Sequence, residues 1–154
     1  MYLEKHQWSK RFDSTFFSFS MDGKRQLLEA PSIPATIKGK TNHPAMYFEL
    51  TVYCGHRTTS IVRRYSHFQW LFHQVYDSNS KQLDRMTGGP PLRLPPGTCP
   101  FQRMDETFLE KRKEELQHFL NELLNRPGYS QHPAVVTFLL LDQLVDCNGK
   151  ESDT

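Results

Sequence analysis

The sequence predicts an α+β domain: a three-stranded antiparallel sheet packed against a helical half, with a proline-rich loop between two of the helices. Three observations lead there. Residues 47–54 alternate apolar and polar side chains as a half-buried strand does. Residues 68–75 and 108–124 repeat apolar side chains at helical spacing. Pro90, Pro91, Pro95, Pro96 and Pro100 crowd a stretch that suits neither a helix nor a central strand. A chain of 154 residues is long enough for one domain with its own core.

Taken in order, residues 1–26 read as an N-terminal extension. Phe16, Phe17, Phe19 and Met21 run into a turn signal at Asp22 and Gly23, so this stretch is either an extra strand or a segment ordered only in context. The domain proper is expected over 27–146. Its first β run, from Leu27, is broken by Pro31 and Pro34, which belong at a sheet edge or bulge. In the next strand Phe48, Leu50, Val52 and Cys54 share one face. Gly55 and His56 make a tight connection, and residues 58–64 return. Phe68, Leu71, Phe72 and Val75 then mark a helix that Ser66 can cap. Residues 88–100 suit extended polyproline geometry. Asp105 opens the clearest helix, which runs to Asn125 and is stopped by Pro127 and Gly128. A short last helix spans His132 to Leu144 with Pro133 in its first turn, and 147–154 form a polar tail.

Composition removes several function classes. Nineteen Lys and Arg against seventeen Asp and Glu leave a charge of +2, too balanced for a nucleic-acid binder that relies on a broad basic face. Three widely spaced Cys suggest a reducing compartment rather than a disulfide framework. No apolar run approaches the roughly 20 residues that span a bilayer, so any membrane contact is expected to be peripheral. Seven His show no zinc spacing, and neither a Gly-rich phosphate loop nor a nucleophile motif is present, so no metal, cofactor or catalysis is expected. Pro31 and Pro34 match a minimal polyproline ligand, but a turn or edge strand suits them better.

Two anomalies carry chemistry. Arg112 falls on the apolar arc of the long helix, among Phe108, Leu109, Leu116, Phe119, Leu120, Leu123 and Leu124. A guanidinium there needs a partner, because an unpaired buried charge costs several kcal/mol. That partner is either an acid of this chain or an anionic ligand, unless the stem snorkels to the surface. The second anomaly is Arg63-Arg64-Tyr65 at a strand-to-helix junction. Alternation sends the two Arg side chains to opposite faces, so one can reach solvent while the other faces the junction. Arg is suited to two-pronged capture of phosphate, and an adjacent Tyr ring can underlie the C–H face of a sugar-like ring. A solvated basic strand end with Tyr65 in the core is the competing reading.

Residues 62–68 (Val-Arg-Arg-Tyr-Ser-His-Phe), the Pro-rich loop, residues 108–120 (Phe-Leu-Glu-Lys-Arg-Lys-Glu-Glu-Leu and on to Phe119-Leu120), and His132-Pro133 with Phe138-Leu139 occur in that order. This set resembles the phox-homology (PX) family, in particular its sorting-nexin-like members, over about residues 27–144. The resemblance implies that Arg64 holds the 3-phosphate of a phosphoinositide, that Tyr65 floors the inositol ring, and that Arg112 reaches the ring hydroxyls. It also implies a Lys at the end of the Pro loop, where this chain has Gly97; Arg93 and Arg103 are the candidates to replace it. His67 stands where the family has Asp, a helix-start position with a structural role. Phe101 and Met104, beside Arg103, fit the family's membrane-inserting loop.

The expected function is therefore membrane targeting without catalysis, by recognition of phosphatidylinositol 3-phosphate. The expected location is cytoplasmic and peripheral on endosomal membranes, in protein sorting and transport, with the membrane surface and possible trafficking proteins as partners. The alternative is a PX-fold protein-interaction module with weak or no lipid binding.

Overall fold

The structure, a computed structural model, describes residues 17–77, 92–97, 105–126 and 129–143. Its sheet has three antiparallel strands in sequence order: β1 (Ser18–Leu27), β2 (Ala45–Cys54) and β3 (Arg57–Arg63). In the central strand Phe48, Leu50, Val52 and Cys54 are all buried, the face that alternation predicts. Gly55, at φ 65°, makes the turn into β3; this is the left-handed region that a residue without Cβ enters freely.

The first strand lies earlier than expected. It is not the run after Leu27, because residues 28–44 hold no regular strand, and Ile37 N–H instead closes a turn onto the Pro34 carbonyl at 3.0 Å. The sheet begins at Ser18, inside the stretch assigned to an extension, and Phe17 and Met21 join the core. Asp22 and Gly23 do not end the strand. They form a bulge, where the register against β2 slips between Met21 and Gly23, and pairing resumes through Leu27. The Asp22 carboxylate accepts hydrogen bonds from the Ser20 hydroxyl at 2.6 Å and from the Thr51 hydroxyl, which fixes the bulge against β2.

Among the described residues three α-helices share one core with the sheet's apolar face: α1 (Tyr65–Asp77), α2 (Glu106–Asn125) and α3 (Pro133–Leu139). The Asp105 carboxylate caps α2 by accepting from the Phe108 N–H at 2.8 Å. Ser66 does not cap α1, whose first helical residue is Tyr65. Instead the His67 Nδ1 reaches back to accept the Arg64 N–H at 3.0 Å, as the third residue of a capping box does. α3 is shorter than predicted. Leu140 turns left-handed at φ 57°, ending the helix at Leu139, and residues 141–143 begin a new helical turn. Phe68 joins the three helices, edge-on to Phe138 at 5.0 Å and to Phe119 at 6.5 Å between ring centres. Lys24 of β1 bonds to both Glu106 and Glu110 of α2, at 2.6 and 2.8 Å, and so ties the sheet edge to the helix. Among the described residues, no helix is long and apolar enough to cross a membrane.

Candidate functional site

The β3–α1 junction places its two arginines in different environments. Arg63, the last residue of β3, is 1% exposed. Its Nε and Nη2 donate to the Phe138 carbonyl at 3.0 and 2.7 Å, and its Nη1 donates to the Val62 carbonyl at 2.7 Å. Phe138 lies in the last turn of α3, where carbonyls lack helical partners, so Arg63 serves as the helix's C-terminal hydrogen-bond donor. Burial pushes its guanidinium down to about 10, still charged at neutral pH. The expectation that one Arg of the pair reaches solvent is thus corrected: Arg63 is sealed in the fold by backbone carbonyls.

Arg64 turns the other way. Its Nη1 donates to the carbonyls of Lys40 and Asn42, each at 3.0 Å, and its guanidinium lies 5.8 Å from the centre of the Tyr47 ring. Tyr65 comes next, half-buried, with its hydroxyl donating to the Pro95 carbonyl. Burial raises the Tyr65 phenol above its ordinary value, and Arg112 partly offsets that rise. Arg112 arrives from α2, 5% exposed, with its guanidinium carbon 4.2 Å from the Tyr65 ring centre and 5.0 Å from that of Phe108. Its Nη2 donates to the Pro96 carbonyl at 2.8 Å, while its Nε is buried without a partner. Among the described residues, no ion pair includes Arg112. Its place on the apolar arc is met by a ring face and one carbonyl, not by an internal acid.

These side chains line one cavity of about 250 Å³, together with Lys40, Met46, Phe48, Ser66, Gln69, Gly97, Phe108 and Leu109. No Asp or Glu is among the described lining residues, which include the three basic residues Lys40, Arg64 and Arg112. Such a space suits an anion with a ring-sized apolar surface, since its lining combines the Arg64 and Arg112 donors with the Tyr65 and Phe108 rings. Arg64, Tyr65, Arg112 and Gly97 are therefore brought together. Arg93 is exposed and does not line the cavity. Arg103, Phe101 and Met104 lie outside the described residues. Sequence reasoning missed Lys40 and Asn42. A Cβ at Gly39 would come 2.6 Å from both the His67 ring and the Ser66 hydroxyl, so only glycine lets this segment approach α1 so closely. The basic-Gly-basic run at 38–40 was the one available signal.

A family model described as PX domain matches residues 52–142. Among curated relatives, sorting nexin MVP1 of Candida albicans is 37% identical over 82 residues, which is 53% of this chain and 10% of that protein. Human sorting nexin-11 is 38% identical over 68 residues, covering 44% of this chain and 22% of its own length. Human sorting nexin-3 is 28% identical over 110 residues, covering 71% of this chain and 62% of its own length. The chain thus aligns with less than two thirds of each of these relatives. Two solved structures are similar at a TM-score of 0.52. A designed CISK-PX domain is 24% identical, covering 79% of this chain and 97% of its own, and the mouse SNX19 PX domain with bound sulphate ion is 20% identical, covering 80% and 95%. At these identities the structural likeness speaks for the fold alone.

Proposed function

The chain belongs to the PX domain family, and on that premise we propose that it is a phosphoinositide-binding, membrane-targeting module that acts in protein sorting, with phosphatidylinositol 3-phosphate on endosomal membranes as its ligand. The observation that carries this reading is the cavity itself. Two buried arginines from separate segments line it, and among the described residues no carboxylate does and the Arg112 Nε has no partner. A buried donor without an acceptor costs about 1–3 kcal/mol, which a ring hydroxyl or phosphate oxygen would relieve.

In this reading Arg64 grips the 3-phosphate, Tyr65 floors the inositol ring and Arg112 reaches the far hydroxyls. Phe101 and Met104 would enter the bilayer beside Arg103. The module binds and does not catalyse, and it acts from the cytoplasmic face as a peripheral protein, with trafficking proteins as partners. The test is flotation with liposomes that each carry a different phosphoinositide. The protein should float with phosphatidylinositol 3-phosphate and not with unphosphorylated phosphatidylinositol. A folded protein that floats with none of them would move the PX-fold protein-interaction reading ahead.

A further inference from the structure

The third cation of the cavity, Lys40, lies outside residues 52–142, the stretch that the family model matches. Its backbone is held on both sides. The Lys40 N–H donates to the Ser66 hydroxyl at 3.0 Å, and its carbonyl accepts from Arg64 Nη1 at 3.0 Å. The approach depends on Gly39, where any Cβ would collide with the His67 ring and the Ser66 hydroxyl. Lys40 is exposed, adjoins the Arg64 guanidinium through its carbonyl and lines the cavity, where no carboxylate stands among the described residues, so its side chain is long enough to bring the ammonium to an anion that Arg64 binds. Among the described residues, no carboxylate pairs with it.

We propose that Lys40 is a ligand-binding residue, whose ammonium joins the Arg64 guanidinium on one phosphate group of an inositol phosphate. This inference rests on the phosphoinositide reading of the same cavity. It places the site's lysine in the segment before β2 instead of in the Pro loop, where Gly97 stands. Inositol phosphate is the shared chemistry, presented either as a free headgroup or on a lipid surface.

Both sources enter the experiment. Wild type, Lys40→Met, Lys40→Arg, Lys38→Met and Arg64→Ala are titrated with soluble inositol 1,3-bisphosphate and floated with vesicles bearing phosphatidylinositol 3-phosphate, after each is shown to be folded by a cooperative melt above the assay temperature. Lys40→Met should weaken soluble binding about 5- to 10-fold, the scale of one accessible charged contact, with Lys40→Arg largely restoring it. Lys38, exposed two residues away, carries the same charge outside the cavity, and its loss should change soluble binding by less than about 2-fold. Equal losses for Lys38→Met and Lys40→Met, or a Lys40 loss seen only with vesicles, would overturn the proposal in favour of general attraction to an anionic surface. Unchanged binding by Lys40→Met where Arg64→Ala abolishes it would remove Lys40 and leave the phosphoinositide reading standing. If Arg64→Ala is silent as well, both fall.

Discussion

The guanidinium carbon of Arg112 lies 4.2 Å from the centre of the Tyr65 ring, so the second turn of α2 and the first residue of α1 meet through a cation–π contact. That contact explains how a charge can sit on the apolar arc of a helix without an acid beside it. The ring's negative face replaces part of the lost hydration, worth about 2 kcal/mol when the pair is desolvated. The Pro96 carbonyl takes one donor, and the neighbouring Pro95 carbonyl takes the Tyr65 hydroxyl. The two members of the pair are thus tied to adjacent carbonyls of the Pro loop. The loop, the ring and the guanidinium form one wall of the cavity, and Gly97 comes directly after them.

This arrangement predicts opposite effects of one substitution on stability and on binding. Arg112→Met keeps the stem and removes a buried charge that has no acid partner. Replacing such a charge with a well-packed apolar side chain is commonly neutral or stabilising. The melting temperature should hold or rise, while soluble-headgroup affinity falls about 10-fold through loss of a charge-assisted contact. A stability loss of about 3–5 kcal/mol in urea denaturation would instead mark Arg112 as half of a structural ion pair.

Arg64 has two duties, and Arg64→Ala should reveal both. Losing its bonds to the Lys40 and Asn42 carbonyls should lower stability by about 1–2 kcal/mol, because both residues are exposed and water can replace the donor. Losing the phosphate contact should weaken headgroup binding by about 2–4 kcal/mol, roughly 30- to 1000-fold. Isothermal titration alongside a urea melt separates the two. Binding that survives in a variant with the expected stability would remove Arg64 from the site.

Much of the fold was legible because it rests on local periodicity. Phe48, Leu50, Val52 and Cys54 alternate with no interruption, and the apolar arc of α2 recurs from Leu109 to Leu124. β1 was not legible, because the bulge at Asp22 shifts the alternation partway along the strand, and its second half carries the polar run Lys24, Arg25 and Gln26. Arg64, Tyr65 and Arg112 could be found because each is an unusual residue in a readable element. Strand alternation alone could not tell Arg63 from Arg64, which only the family resemblance separated, since the partner of Arg63 is a backbone carbonyl of α3 and leaves no trace in residue identity. Lys40 was hidden for a related reason. Its place in the cavity comes from a tertiary approach through Gly39, and a lysine in a loop otherwise looks like any solvated charge. The end of α3 at Leu140 was equally silent, because leucine gives no hint of a left-handed residue.

His67 predicts how stability depends on pH. Its ring is buried and faces Arg63 and Arg64, and burial first, then those two charges, push it down to about 4 from 6.5. The unfolded chain therefore takes up a proton near pH 6.5, and the folded chain only near pH 4. Stability from this group is complete above pH 6.5 and is lost progressively as pH falls toward 4. At about pH 5 the loss should be about 2 kcal/mol relative to about pH 8. His132, also lowered by burial, adds in the same direction. His67→Asn keeps an acceptor for the Arg64 N–H and removes the titration, so its urea midpoint should vary less across the same pH interval. Parallel curves for the two proteins would mean that His67 does not set the acid sensitivity.

Gly97 offers the final test, because the position lines the cavity yet supplies no charge. Among the described residues a Cβ there would meet only the Tyr65 ring edge at 3.9 Å, an ordinary contact, and the backbone is not in the left-handed region. Lysine should thus be accommodated without strain, and the melting temperature of Gly97→Lys should match wild type. The new ammonium would enter from the Pro loop, apart from the Lys40 segment that holds Arg64. A charged contact added at this point should tighten soluble-headgroup binding by about 1–2 kcal/mol, roughly 5- to 30-fold. Combining Gly97→Lys with Lys40→Met distinguishes independent contacts from shared ones. If the two ammoniums meet different oxygens, their effects add within about 0.5 kcal/mol; if they compete for one phosphate, the gain from Gly97→Lys grows when Lys40 is absent. No gain in either background, with Arg64→Ala still abolishing binding, would show that the anion lies on the Arg64 side of the cavity and does not approach the Pro loop.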